Sequence, residues 1–152
     1  MGREVRDILE QVRAGGLSVE DALLQLKEKP FEDIGYAKVD FHRRVRQGAA
    51  EVIYGAGKTP EQISGILSAM REGGQGSVLI TRLSPESAAV VGQAHPLDYH
   101  PEARVGIVGE LPPAGGLGNI VVATGGTSDI PVAEEAALTA QVLGNRVVRL
   151  YD

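Results

Sequence analysis

The residues with the clearest chemical potential lie at positions 118–137, GNIVVATGGTSDIPVAEEAA. The β-branched run at 120–123 predicts a buried strand, and it ends in Gly125-Gly126, where backbone can turn sharply or approach a ligand closely. Thr127, Ser128 and Asp129 then offer N-capping side chains to a helix expected to run to about Leu143 and stop at Gly144. Residues 147–151 read as a returning strand, so the stretch is a βαβ unit of an open parallel sheet. Backbone N–H groups and the positive end of the helix dipole converge on the turn, which suits a phosphate or carboxylate. Asp129 would repel a phosphate placed directly on it. It is better suited to accept a hydrogen bond from a ribose hydroxyl or to hold a first-turn N–H. Two uses stay open: a ligand turn, with Gly126, Thr127, Ser128 and Asp129 binding a nucleotide, and a helix cap with no ligand.

A second cluster packs Asp40, His42, Arg43, Arg44 and Arg46 into seven residues. Such a run is either a solvated helix face or an anion clamp, because the Arg fork matches carboxylate and phosphate geometry. Asp40, His42, Arg43 and Arg46 are the candidate anion contacts. Gly57-Lys58-Thr59 invites comparison with a P-loop, but that motif needs glycine at position 52, where this chain has Val. Thr59 reads instead as an N-cap, with Pro60 at the first helical position and Gln62 closing a capping box. Lys58, just ahead of that helix, can reach an anion or lie in solvent. His95, Asp98 and His100 suggest metal ligation, yet no helix supports their spacing and Pro96 and Pro101 break the backbone. No metal site is expected there.

The elements that must position these groups alternate in type. Val5, Ile8, Leu9 and Val12 form one apolar helical stripe, and Ser18 caps a second helix with Ala22, Leu23 and Leu26 facing inward. These make a helical hairpin over 3–28. Strands are expected at 34–40, 51–54, 77–81 and 104–108, with helices at 60–71 and from Pro85 to near Gly92. The Pro/Gly connector at 109–118 is the best boundary between an N-terminal mixed region, 1–110, and a C-terminal unit, 111–152. The fold class is α/β. Two parallel strands and one helix cannot cover both faces of a parallel sheet, so the C-terminal unit is expected to be a truncated domain or one completed by another chain.

Composition bounds the rest. Fifteen Lys and Arg against twenty Asp and Glu give a net charge of −5, which offers no basic field for nucleic acid. No apolar run has the length of a membrane span, and no signal-peptide pattern opens the chain. Zero cysteine excludes disulfide and thiolate chemistry within these residues and fits a cytoplasmic location.

The segments FEDIGYAKVDFHRRVRQG (31–48), AEVIYGAGKTPEQI (50–63), LDYHPEARVGIVG (97–109) and TSDIPVAEEAALTA (127–140) carry a resemblance that spans nearly the whole chain. GGTSDIPVAEEA is similar to the nucleotide turn of the aminoimidazole ribonucleotide carboxylase family. The chain as a whole resembles a relative of it: the pyridinium-3,5-biscarboxylic acid mononucleotide synthase family of nickel-pincer cofactor biosynthesis. That resemblance implies a flavodoxin-like carboxylase domain beginning after residue 110. It also implies an enzyme that adds CO2 or bicarbonate to the pyridinium ring of nicotinic acid adenine dinucleotide and hydrolyses the phosphoanhydride, releasing AMP. No firmly bound cofactor is implied, magnesium stays open, and the parent enzyme is expected to be a homo-oligomer. The family is expected to use a cysteine nucleophile, which this chain lacks, so these residues alone are expected to be inactive. Two alternatives stand beside this reading: a purine-pathway aminoimidazole ribonucleotide carboxylase, and a non-catalytic nucleotide-binding or assembly module. The long N-terminal region argues against the former.

Overall fold

The computed structural model describes residues 2–27, 31–33, 35–40 and 52–152. Helix α1 (Gly2–Arg13) and helix α2 (Val19–Lys27) form the expected hairpin. The Ser18 hydroxyl accepts from the Asp21 N–H at 3.0 Å and donates to the Asp21 carboxylate at 2.7 Å. Of the residues expected to face inward, Ala22 is buried, but Leu23 is 51% exposed. Among the described residues the two hairpin helices pack chiefly on each other, so part of their apolar stripe stays in water.

The single strand expected at 34–40 is instead a two-stranded antiparallel ribbon, β1 (Phe31–Asp33) and β2 (Lys38–Asp40). Gly35, at φ 86°, turns the chain between them, which a continuous strand would not permit. The Tyr36 hydroxyl rests against the Cα of Gly65 in the helix below, a contact open only because Gly65 has no Cβ.

The central sheet has the order β3-β4-β6-β5. Strand β3 (Val52–Tyr54) runs parallel to β4 (Ser77–Thr81), which pairs antiparallel with β6 (Val105–Gly109). Strand β5 (Leu97–His100) closes the other edge against β6. Residues 97–100 are not among the strands expected from the sequence. Their pairing with the strongly apolar β6 overrides the flanking prolines, which lie just outside the strand. Two helices follow the parallel strands and cover one face: α3 (Pro60–Glu72) and α4 (Pro85–Ala94). Both start as expected, on a capping hydroxyl with proline at the first positions. The Gln62 N–H donates to the Thr59 hydroxyl at 3.3 Å, while the Thr59 N–H donates to the Gln62 side chain at 3.0 Å.

Strand β4 is buried on both faces, so it reads as an uninterrupted apolar run. Val78 and Ile80 join Leu67, Met70 and Val91 beneath α3 and α4. Leu79, with Val105 and Ile107 of β6, packs on the opposite face against Leu138 and Val142 of a fifth helix, α5 (Ile130–Val142). That helix also covers a second sheet, the parallel pair β7 (Asn119–Thr124) and β8 (Arg146–Tyr151). The layers are thus helices α3 and α4, the four-stranded sheet, α5, and the two-stranded sheet. The fold class is α/β, and β7–α5–β8 is a right-sized βαβ unit compatible with a flavodoxin-like domain.

One expectation fails at β7. Its apolar run predicted a buried strand, yet Val121 is 55% exposed. A two-stranded sheet covered by one helix leaves its far side open, so Val121, Val148 and Leu150 all face water.

Candidate functional site

The C-terminal end of β7 and the start of α5 enclose an open groove of about 340 Å³. Val122, Ala123 and Thr124 form one wall, and Asp129, Val132, Ala133 and Ala136 form the other. The groove therefore lies where a parallel strand delivers its chain to a helix N-terminus, the usual ligand position in open α/β sheets. Small side chains keep it wide, and Asp129 supplies its one charged group.

The chain enters α5 differently from the expected cap. Residues Thr127–Asp129 form a 3-10 turn, preceded by Gly126 at φ 98° and ψ 139°. Asp129 takes helical dihedrals, φ −94° and ψ −13°, and no side-chain capping hydrogen bond forms at either start. An N-cap side chain reaches the N2 or N3 amide from an extended backbone, which the 3-10 turn removes. The Asp129 N–H is occupied by the Gly126 carbonyl at 3.2 Å. The Asp129 carboxylate, having no capping role, is left to line the groove.

Lys58 sits in the turn after β3, its N–H donating to the Gly55 carbonyl at 3.1 Å, and it is half-buried. It does not line the groove. Asp40 closes strand β2, while His42, Arg43 and Arg46 lie outside the described residues. Among the described residues no group of His, Asp and Glu is placed to hold a metal ion. His100 pairs with Asp98 at 3.2 Å on adjacent turns of the β5 pleat, both on one edge of the sheet.

A polar network that sequence reading did not find braces α5 behind the groove. Glu134 and Arg149 form an ion pair at 2.8 Å, and Arg149 also donates to the Gln141 side chain at 3.0 Å. Burial pushes the Glu134 carboxyl up, but the hydrogen bond and charge of Arg149 outweigh it, with help from nearby Tyr151 and His100, and hold it below the ordinary range. The Glu134 hydrogen bond raises Arg149 in turn. The Tyr151 hydroxyl is shut off from solvent and, among the described residues, meets no partner in good hydrogen-bonding geometry; burial, followed by its polar contact with Glu134 and the charge there, raises its pKa. The neighbouring Glu135 points the other way, to Arg82 at the end of β4, at 3.4 Å. The signal in the sequence was present: Val147, Arg149 and Tyr151 alternate onto one face of β8, so Arg149 had to meet the helix.

Residues 31–110 match the LarB/PurE-like N-terminal domain. The chain belongs to the LarB/PurE-like family. This LarB/PurE-like chain is also 30% identical, over 159 residues, to MJ0165, an uncharacterized protein of Methanocaldococcus jannaschii. That similarity covers 100% of this chain and 62% of the relative, so the chain spans less than two thirds of the relative's length. Asp40, His42, Arg43, Arg46 and Lys58 fall inside the matched region, whereas the groove and the 126–129 turn follow it. Among the described residues no helix of this LarB/PurE-like chain is long and apolar enough to cross a membrane.

Proposed function

We propose that this chain belongs to a pyridinium-3,5-biscarboxylic acid mononucleotide synthase and positions its dinucleotide substrate, nicotinic acid adenine dinucleotide, for ring carboxylation and release of AMP. The observation that carries the reading is the groove at the end of β7 in a chain of the LarB/PurE-like family. In this reading Gly126 lets the backbone approach a ligand, Thr127 and Ser128 offer it their hydroxyls, and Asp129, the one of the four that lines the groove, accepts from a ribose hydroxyl. Asp40, His42, Arg43, Arg46 and Lys58 are proposed as anion contacts, matching the two phosphates and the carboxylates of substrate and product. CO2 or bicarbonate is the co-substrate, magnesium the candidate ion for the pyrophosphate, and a cytoplasmic homo-oligomer the proposed form of the parent enzyme.

The absence of cysteine favours a second reading for these 152 residues taken alone: a nucleotide-binding module that holds substrate without supplying the covalent nucleophile. Both readings place the ligand in the same groove and differ in turnover. A two-dimensional amide NMR titration with nicotinic acid adenine dinucleotide tests them together, with aminoimidazole ribonucleotide as control. Shifts confined to residues 124–129 and 40–58 are expected with the dinucleotide. Shifts with the ribonucleotide alone would move the assignment to the purine pathway, and a spectrum indifferent to both would remove the nucleotide site. Release of AMP by this chain would overturn the non-catalytic reading.

A further inference from the structure

The groove is built on the first half of α5, but the apolar anchor of that helix lies in its second half. Leu138 and Val142 are the residues that lock into Leu79, Val105 and Ile107 of the four-stranded sheet. What ties the first half to the same sheet is polar: the Arg82–Glu135 contact, one residue from Ala136 in the groove wall.

Arg82 is held as a fixed post. Its backbone is left-handed, φ 54°, a conformation that L side chains rarely adopt, and the neighbouring crossing strand repeats it at Arg104, φ 51°. Two contacts pin it in place. The Gly55 N–H donates to the Thr81 carbonyl at 2.7 Å, and the Leu83 N–H donates to the Arg104 carbonyl at 2.8 Å. Gly55 lies so close that a Cβ there would stand 2.9 Å from the Thr81 oxygen and 3.2 Å from that of Arg82. Leu83, next in line, is fully buried. From that base the guanidinium, 53% exposed, reaches the Glu135 carboxylate at 3.4 Å.

We propose that Arg82 is a positioning residue, which sets the ligand-bearing first turns of α5 relative to the four-stranded sheet through Glu135. The idea rests on the nucleotide reading of the groove for its functional consequence, and on geometry alone for the coupling. Arg82 is not among the residues that line the groove. It acts by fixing the helix from which Val132 and Ala136 project and which Asp129 immediately precedes.

The test combines hydrogen exchange with ligand binding in the whole chain. In Arg82→Ala, exchange at the Ala136 and Ala137 amides should rise about two- to fivefold relative to Val142, the range an exposed ion pair commands. Binding of nicotinic acid adenine dinucleotide should weaken by a similar factor. The charge-swapped R82E/E135R pair should restore both, which a purely structural effect at a strained loop residue would not allow. Equal acceleration along the whole helix, no acceleration, or failure of the swap overturns the proposal. Faster exchange that the swap reverses, in a chain that binds no dinucleotide, leaves the coupling standing and removes the nucleotide reading instead.

Discussion

At the scale of single residues the groove carries one charge and the brace behind it carries several. Asp129 makes no capping bond, so its carboxylate is free to serve a ligand hydroxyl. Asp129→Asn should weaken dinucleotide binding about tenfold by titration, since a hydrogen bond to a charged acceptor contributes about 1.5–3 kcal/mol. Stability should hardly change. Glu134 behaves oppositely. Its folded pKa lies below the ordinary value, so its pairing with Arg149 stabilises above the unfolded carboxylate pKa and is lost as pH falls through the folded one. Glu134→Gln should therefore lower the unfolding free energy by about 1 kcal/mol at pH 7, the difference closing below about pH 4. Urea unfolding at pH 7 and pH 3 checks this, and an undiminished difference at pH 3 would assign the loss to packing. Tyr151→Phe removes a buried hydroxyl that, among the described residues, has no partner in good hydrogen-bonding geometry. It should stabilise the chain by about 1 kcal/mol in the same assay, and a loss of stability would mean that the hydroxyl is engaged after all.

At the scale of elements, helix starts and helix packing follow different physics. Thr59→Ala takes away the hydroxyl that accepts from the Gln62 N–H, while the backbone N–H of position 59 keeps its bond to the Gln62 side chain, and should cost about 1 kcal/mol, read as a shift in denaturation midpoint. The start of α5 has no such side-chain cap and owes its position to Pro131, to the 3-10 turn and to its neighbours. Its hold on the four-stranded sheet is the patch around Leu138. Leu138→Ala should cost about 2–4 kcal/mol, and amide exchange should locate the damage in α5, β7 and β8 ahead of α3 and α4. Equal loosening of all helices would mean that the two apolar clusters unfold as one.

At the scale of the molecule, the outermost layer is open. Val121, Val148 and Leu150 form an apolar face on a two-stranded parallel sheet, an arrangement that is marginal unless covered. Leu150, 58% exposed, lies on this face opposite Ala123, next to the Val121–Val148 pair. Leu150→Lys should reduce self-association of this chain in sedimentation experiments without altering the groove, which lies on the helix side of β7. An unchanged association constant would remove that face from the contact.

The sequence by itself determined the order and type of most elements. Period-3.6 stripes, two Ser/Thr-Pro helix starts and short β-branched runs are local signals, and they placed α3, β4, α4, β7, α5 and β8 within a residue or two. It also marked the turn at 125–129, because glycine pairs and capping residues are chemistry that a chain carries in one dimension. What only the tertiary structure decided was partnership. Leu97–His100 became a strand because β6 offered an edge, and the run at 34–40 divided because Gly35 turned back toward its own neighbour. The capping of α5 by residues 127–129 gave way to a 3-10 turn, which moved Asp129 from a structural task to the groove wall. Glu134 and Glu135 are adjacent letters with the same charge, yet one faces β8 and the other the end of β4. A helix turns about 100° per residue, so side chains that are neighbours in sequence serve different surfaces, and those surfaces exist only once the sheets are stacked.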